Sequence, residues 1–272
     1  MAGWLDRLRR PFGKRIRDVP PALWRQTLEI YPFLPRHGTA SSEALRLMCG
    51  QFLAHKEFHG ALGLQVDDAV AVAIAAQACL PVLAINAPYQ GVQWYDDFVG
   101  IVVYPGAVLA QRETVGDDGV VHNYQEELSG EAMQDGPVTL NWQDVAAAGA
   151  TAAEGYNLVI HEFVHKLDMR GGVADGCPPL PPGFMGSPGP AAAHRLWHNA
   201  LQAAYLDFCD RLSLQQRFGG APVWLDSYAS TSPDEFFAVS SEAYFVSPQR
   251  FAQEFAPLLP LFDAFFRPQA TA

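Results

Sequence analysis

Between Asn157 and Met169 the chain reads Asn-Leu-Val-Ile-His161-Glu162-Phe-Val-His165-Lys-Leu-Asp168-Met, a run of large apolar residues into which two imidazoles are set four residues apart. At about 100° per residue, His161 and His165 stand one turn apart on one helix face, with Glu162 beside them. Leu158, Val159, Ile160, Phe163, Val164 and Leu167 cover the rest of that helix with apolar surface, which places it in a core. The fold must therefore enclose this helix and still leave its histidine face reachable.

The flanking sequence supplies elements to do so. Leu45, Leu47, Met48, Phe52, Leu53 and Phe58 recur near helical spacing and predict a helix from Ser41 to His59, capped by Ser41 or Ser42; Asp67 or Asp68 starts a second that ends before Pro81. GIVVYP at 100–105 and PVTLNW at 137–142 are short, β-branched and bounded by Gly or Pro, as strands are, and Asp117, Asp118 and Gly119 mark a turn between them. Ala152 to Met169 reads as a buried helix. Gly171 to Pro190, with six prolines and six glycines, reads as a long irregular loop, the kind that often borders a functional site. Helices follow at about 191–213 and 234–246, the latter opened by Ser232 as N-cap and Pro233 in its first turn.

Charge and cysteine content narrow the function classes. The first 18 residues carry net +4, while the remainder carries −15 of the overall −11, so the body repels nucleic acid and no direct nucleic-acid binding is expected. The longest apolar run, Ala69 to Ala76, is far short of the roughly 20 residues that span a bilayer. The basic N-terminus lacks the apolar segment and cleavage site of a secretory signal, so a cytoplasmic address is the expectation. Cys49, Cys79, Cys177 and Cys209 form no CxxC pair and are read as buried thiols.

The chemistry lies in the helix. Two imidazoles one turn apart can reach one ion while Glu162 points to where a water on that ion would sit, the HExxH arrangement of zinc peptidases. There the metal acidifies its water and polarises the scissile carbonyl; Glu162 takes the water's proton and returns it to the leaving amine. Spacing alone is weak evidence, because His55/His59 and His194/His198 are also HxxxH pairs; neither has Glu after its first His, and both are read as ordinary helix histidines.

Such a site needs a third protein ligand. Asp168 is seven residues past His161, about 10 Å along the axis, too far to close on the same ion. It is assigned to the surroundings, accepting a hydrogen bond from a ligand His or fixing the following loop. The segment from Tyr228 to Phe245 is the better source: Glu235 and Glu242 share one face of an otherwise apolar helix, where buried carboxylates require a cation or donors. Glu235 is the favoured ligand and Glu242 the alternative, yet Ser232-Pro-Asp-Glu235 is also a capping box that would occupy Glu235 with the backbone. Tyr228 could donate its hydroxyl to the developing oxyanion or simply pack. The strand Val138 to Trp142 is expected to offer a free edge to an extended peptide.

GYNLVIHEFVHKLDMR, the upstream WYDDF (Trp94 to Phe98), VVYPG (Val102 to Gly106) and KEFHGALGLQ…IAAQACLPVL (Lys56 to Leu83), and the downstream SYASTSPDEFFAVSSEAYF together resemble the Mlc titration factor A family, bacterial zinc metallopeptidases. The likeness runs from about residue 20 to 265. The family's catalytic part is similar to that of anthrax lethal factor, whose YxxxxxxEFFA pattern falls here on Tyr228 and Glu235 and implies that these are the transition-state tyrosine and the third ligand. The resemblance implies one Zn2+ per chain, a gluzincin-like fold, modest aminopeptidase-type activity on a peptide or protein substrate, and, in enteric bacteria, binding to the glucose-responsive repressor Mlc. The Gly171 to Pro190 loop departs from it, being longer and richer in proline.

The expected fold is α+β: a mainly helical, zincin-like metallopeptidase with a small mixed sheet. It divides into a basic, flexible arm at 1–20 and one catalytic domain at 21–268, made of a helical portion (21–90), the small sheet (91–150) and the zinc-binding helices (151–268). Metal ligands are His161, His165 and Glu235, the acting residues Glu162 and Tyr228, and the supporting carboxylates Asp168 and Glu242. The competing function is a regulatory protein that sequesters an Mlc-like repressor and keeps zinc mainly as structure. Glu162 argues against it, since a structural site has no use for an acid-base residue beside an open coordination position. A metal-dependent hydrolase of a non-peptide substrate is a third reading.

Overall fold

The computed structural model describes residues 16–115, 121–128 and 130–268. Most of the basic arm and the expected turn at Asp117–Gly119 lie outside the described residues. The arm's last residues are already packed: Val19 is buried and the Arg17 N–H donates to the Gly50 carbonyl.

Helices α1 (Pro21–Ile30) and α2 (Ala40–His55) lead into strand β1 (Glu57–Gly60) and helix α3 (Asp68–Cys79). Thr39, rather than Ser41 or Ser42, caps α2 by accepting the Ser42 N–H, and the helix stops at His55 because Phe58 belongs to the sheet. Asp67 caps α3 as expected, accepting the Val70 N–H. Of the four cysteines, Cys49 and Cys79 are buried and Cys177 and Cys209 half-buried.

Strands β2 (Gly100–Tyr104), β3 (Val108–Val115), β4 (Val121–Leu128), β5 (Gly130–Ala132) and β6 (Val138–Asn141) follow. β1, β2, β6 and β5 form a mixed sheet in that order, parallel except for the antiparallel β5–β6 pair; β3 and β4 make a separate antiparallel hairpin. The expected free edge at Val138–Trp142 is therefore wrong: β6 lies between β2 and β5, and Trp142 already belongs to a helix. β5 was unreadable because Gly-Glu-Ala carries no strand pattern.

Helix α4 (Trp142–Thr151) follows β6 directly, and α5 (Leu158–Asp168) begins later than Ala152. Residues 152–154 make one 3-10 turn, and Gly155 turns the chain at φ +85°, where a Cβ would meet Trp224 Cζ2 at 3.0 Å. Asn157 then caps α5. The Gly171–Pro190 loop is irregular apart from short 3-10 turns and delivers the chain to α6 (Pro190–Phe218), α7 (Pro233–Val246), α8 (Pro248–Glu254) and α9 (Leu259–Phe266).

Every residue of α7 from Phe236 to Val246 is buried, so this helix is wrapped on all sides like α5, against which it packs. An aromatic cluster surrounds it: Trp197 of α6 stacks on Phe262, Phe237 meets both, and Phe245 meets Phe266. Full burial of such side chains contributes about 1.5–3 kcal/mol each. That packing holds α7 in place, and α5 lies against it. The architecture is α+β, and among the described residues no helix is long and apolar enough to cross a membrane.

Candidate metal centre

The facing helices bring three donor atoms together. His161 Nε2 and His165 Nε2 are 3.2 Å apart, and Glu235 Oε2 lies 3.1 Å from the first and 3.2 Å from the second. Among the described residues this is the group of three whose atoms converge as metal ligands would. The donors form a nearly equilateral triangle; a tetrahedral ion with bonds of about 2.0–2.1 Å has ligand atoms about 3.3 Å apart. The donor set therefore fits a metal ion.

Glu235 is free for this because the capping box does not form: Ser232 is extended at the N-cap and makes no side-chain cap bond. Glu242, two turns on, serves a different partner. Only 1% exposed, it accepts from His161 Nδ1 at 2.8 Å and from the Asn157 N–H. With a carboxylate facing Nδ1, an ion bound at Nε2 would leave the His161 proton on Nδ1, donated to Glu242. Asn157 links the arrangement to α3, its side chain accepting from Ile160 N and donating to Gln77 Oε1.

Glu162 is buried and lines a cleft of about 220 Å3 together with His161, His165, Tyr228, Asp234, Glu235 and edge strand β5. The strand passes so close that a Cβ on Gly130 would meet Glu162 Oε1 at 2.5 Å and Leu158 Cδ1 at 2.8 Å. Tyr228, half-exposed at the mouth, donates its hydroxyl to Glu235 Oε1 at 3.1 Å, and its ring centroid is 6.1 Å from that of His161. Asp168 is turned away: it accepts the Gly176 N–H at 2.7 Å and so ties down the proline-rich loop rather than a ligand imidazole.

Burial pushes the Glu162 carboxyl up to about 7, against the pull of the two imidazoles. Burial alone would also raise Glu235, but hydrogen bonds to His161 and His165 hold it well below the ordinary range. For His161 burial is outweighed by Glu235 and Glu242, which raise it well above its usual value. The carboxyl groups of Glu162, Glu235 and Glu242 gather around two imidazoles in a poorly solvated place, where a bound cation would offset the cost of burying their charge.

Sequence reasoning missed Gly130, Glu131, Ala132 and Asp234 as cleft residues, and Asn157 as the cap that sets the helix start. Asn before an apolar helical run was a readable signal. A glycine in a strand marks close backbone approach, but here no strand was visible to place it in.

A His/His/Glu donor set with a buried carboxyl beside an open cleft is a group that could hold a metal ion. The chain belongs to the glucose-regulated metallo-peptidase M90 family, whose model matches residues 6–267. It is 35% identical over 245 residues to Mlc titration factor A of Klebsiella pneumoniae, covering 90% of this chain and 85% of that protein. It is 35% identical over 253 residues to Mlc titration factor A of Escherichia fergusonii (92% and 86%) and 34% identical over 245 residues to that of Salmonella schwarzengrund (90% and 85%).

Proposed function

We propose that the chain is a zinc peptidase of gluzincin-like fold, hydrolysing peptide bonds with aminopeptidase-type preference. The observation that carries this reading is the triangle of His161 Nε2, His165 Nε2 and Glu235 Oε2 with Glu162 beside it in one cleft. Zinc held there would supply Lewis acidity toward the scissile carbonyl and an acidified water. Glu162, whose burial favours holding a proton, accepts it from the attacking water and passes it to the leaving amine. Glu242 keeps His161 oriented, and Tyr228 donates to the carbonyl oxygen as charge develops there. An extended peptide pairs with the outer edge of β5, whose other edge is taken by β6.

Replacing Glu162 by Gln keeps the side-chain shape and all three ligands. Zinc content should stay at one per chain while peptide hydrolysis falls by about 10²–10⁴. Full activity in that variant would sink the mechanism. The relatives' name supports a second reading, titration of an Mlc-like repressor; it would require the Gln variant to bind such a repressor as tightly as the original chain.

A further inference from the structure

The metal-centre chemistry leaves unused a buried charge on the same helix. Lys166 directly follows ligand His165, and its side chain is 0% exposed. Its ammonium donates to the Met133 carbonyl at 2.8 Å, lies 3.4 Å from the Gly136 carbonyl, and pairs with Asp97 Oδ2 at 3.2 Å. Met133 to Gly136 is the turn that joins β5 to β6, closed by the Gly136 N–H on the Met133 carbonyl. Asp97 belongs to the WYDDF segment, whose Phe98 ring lies 4.6 Å from the Lys166 ammonium and 3.7 Å from that of Lys56. Arg170, one turn further along the chain, stands 3.8 Å from the other Asp97 oxygen.

We infer that Lys166 is a positioning residue for substrate: held by Asp97, it grips the β5–β6 turn and keeps edge strand β5 in register with the metal ligands. The inference rests on the reading that peptide pairs with β5. The geometry explains why a full charge is kept in the core. Three residues of β5 are too few to fix a strand by pairing alone, and a charged donor on two turn carbonyls is stronger than neutral bonds. The grip starts from the residue after a ligand, so strand and ligands share one frame.

The test replaces Lys166 by Met, which keeps the stem, and pairs it with Lys166→Met/Asp97→Asn, because the single change leaves half-buried Asp97 with Arg170 at 3.8 Å in place of its closer cation and endangers folding. Both are measured as zinc-loaded protein by amide hydrogen exchange, metal content, and KM and kcat on a peptide panel. Exchange should quicken at residues 130–137. KM should rise about fivefold to thirtyfold, the loss of one or two main-chain hydrogen bonds. kcat should stay within about twofold and zinc at one per chain. Unchanged exchange at 130–137 in the folded double variant overturns the inference, and so does quickened exchange with KM unmoved. Absence of peptidase activity in the unaltered chain is instead the failure of the underlying reading, which the exchange measurement does not depend on.

Discussion

Helices α5 and α6 each carry two histidines one turn apart, and they differ in nearly everything except that spacing. On α5 the rings of His161 and His165 meet edge to face with centroids 4.8 Å apart, buried, with Glu235 of α7 opposite. On α6 His194 and His198 lie stacked at 6.1 Å with planes 7° apart, exposed, and the carboxylate beside His194 is Asp175 at 3.8 Å. Trp197 between them is fully buried, so α6 turns its apolar side inward and leaves its histidines in water. What sets the α5 pair apart is one carboxylate on a second helix within 3.2 Å of both rings, while spacing on one helix only permits such a group.

The largest expected effect tests that contrast directly. His165→Ala and Glu235→Ala should each lower zinc affinity by more than about 10²-fold, beyond the scale on which even groups supporting the ligands matter. His194→Ala and His198→Ala should leave zinc content and activity unchanged. Metal analysis after dialysis against a weak chelator separates the two pairs. Zinc retained by the Glu235 variant but lost from Glu242→Ala would exchange the roles assigned to the two carboxylates.

Tyr228→Phe sharpens the comparison at the mouth of the cleft, where α6 has no counterpart group. The phenol lies 3.1 Å from Glu235, so the exchange removes one hydroxyl and keeps the ring near His161. We expect kcat to fall by about 10²–10³ with KM and zinc content nearly constant, the cost of one oxyanion donor. Normal turnover would make Tyr228 a packing residue.

Local chemistry decided what could be read in advance. The two strands with β-branched patterns, the Asp67 cap, the long Pro/Gly loop and the HExxH helix all carry their signal within a few residues. What escaped reading depends on distant partners. β5 is a strand because β6 pairs with it, and position 155 needs glycine because Trp224 leaves no room for a Cβ there. Glu235 shows the same limit: the ligand role was favoured but a capping box competed for it locally, and it is the imidazoles across the interface, with the Tyr228 hydroxyl, that engage its carboxylate.

The smallest effect concerns the loop that leads from α5 to α6 and so joins the two helices compared. Asp168 is 1% exposed, accepts the Gly176 N–H through one oxygen, and among the described residues has no hydrogen-bond partner on the other. Burial pushes its carboxyl up to about 7 from an ordinary 3.8, the Gly176 N–H pulling the other way. The folded chain thus keeps a proton that the unfolded chain releases. Its contribution is fully present below the unfolded value and is lost as pH rises toward about 7, by at most about 1.4 kcal/mol per pH unit. Asp168→Asn accepts the same N–H and cannot ionise. Relative to the original chain, the variant should therefore gain stability steadily from about pH 4 to 7 in urea unfolding, whatever the offset between them at pH 4. A constant difference across that window would mean that Asp168 ionises as freely in the fold as outside it, and that the loop is held without a buried proton.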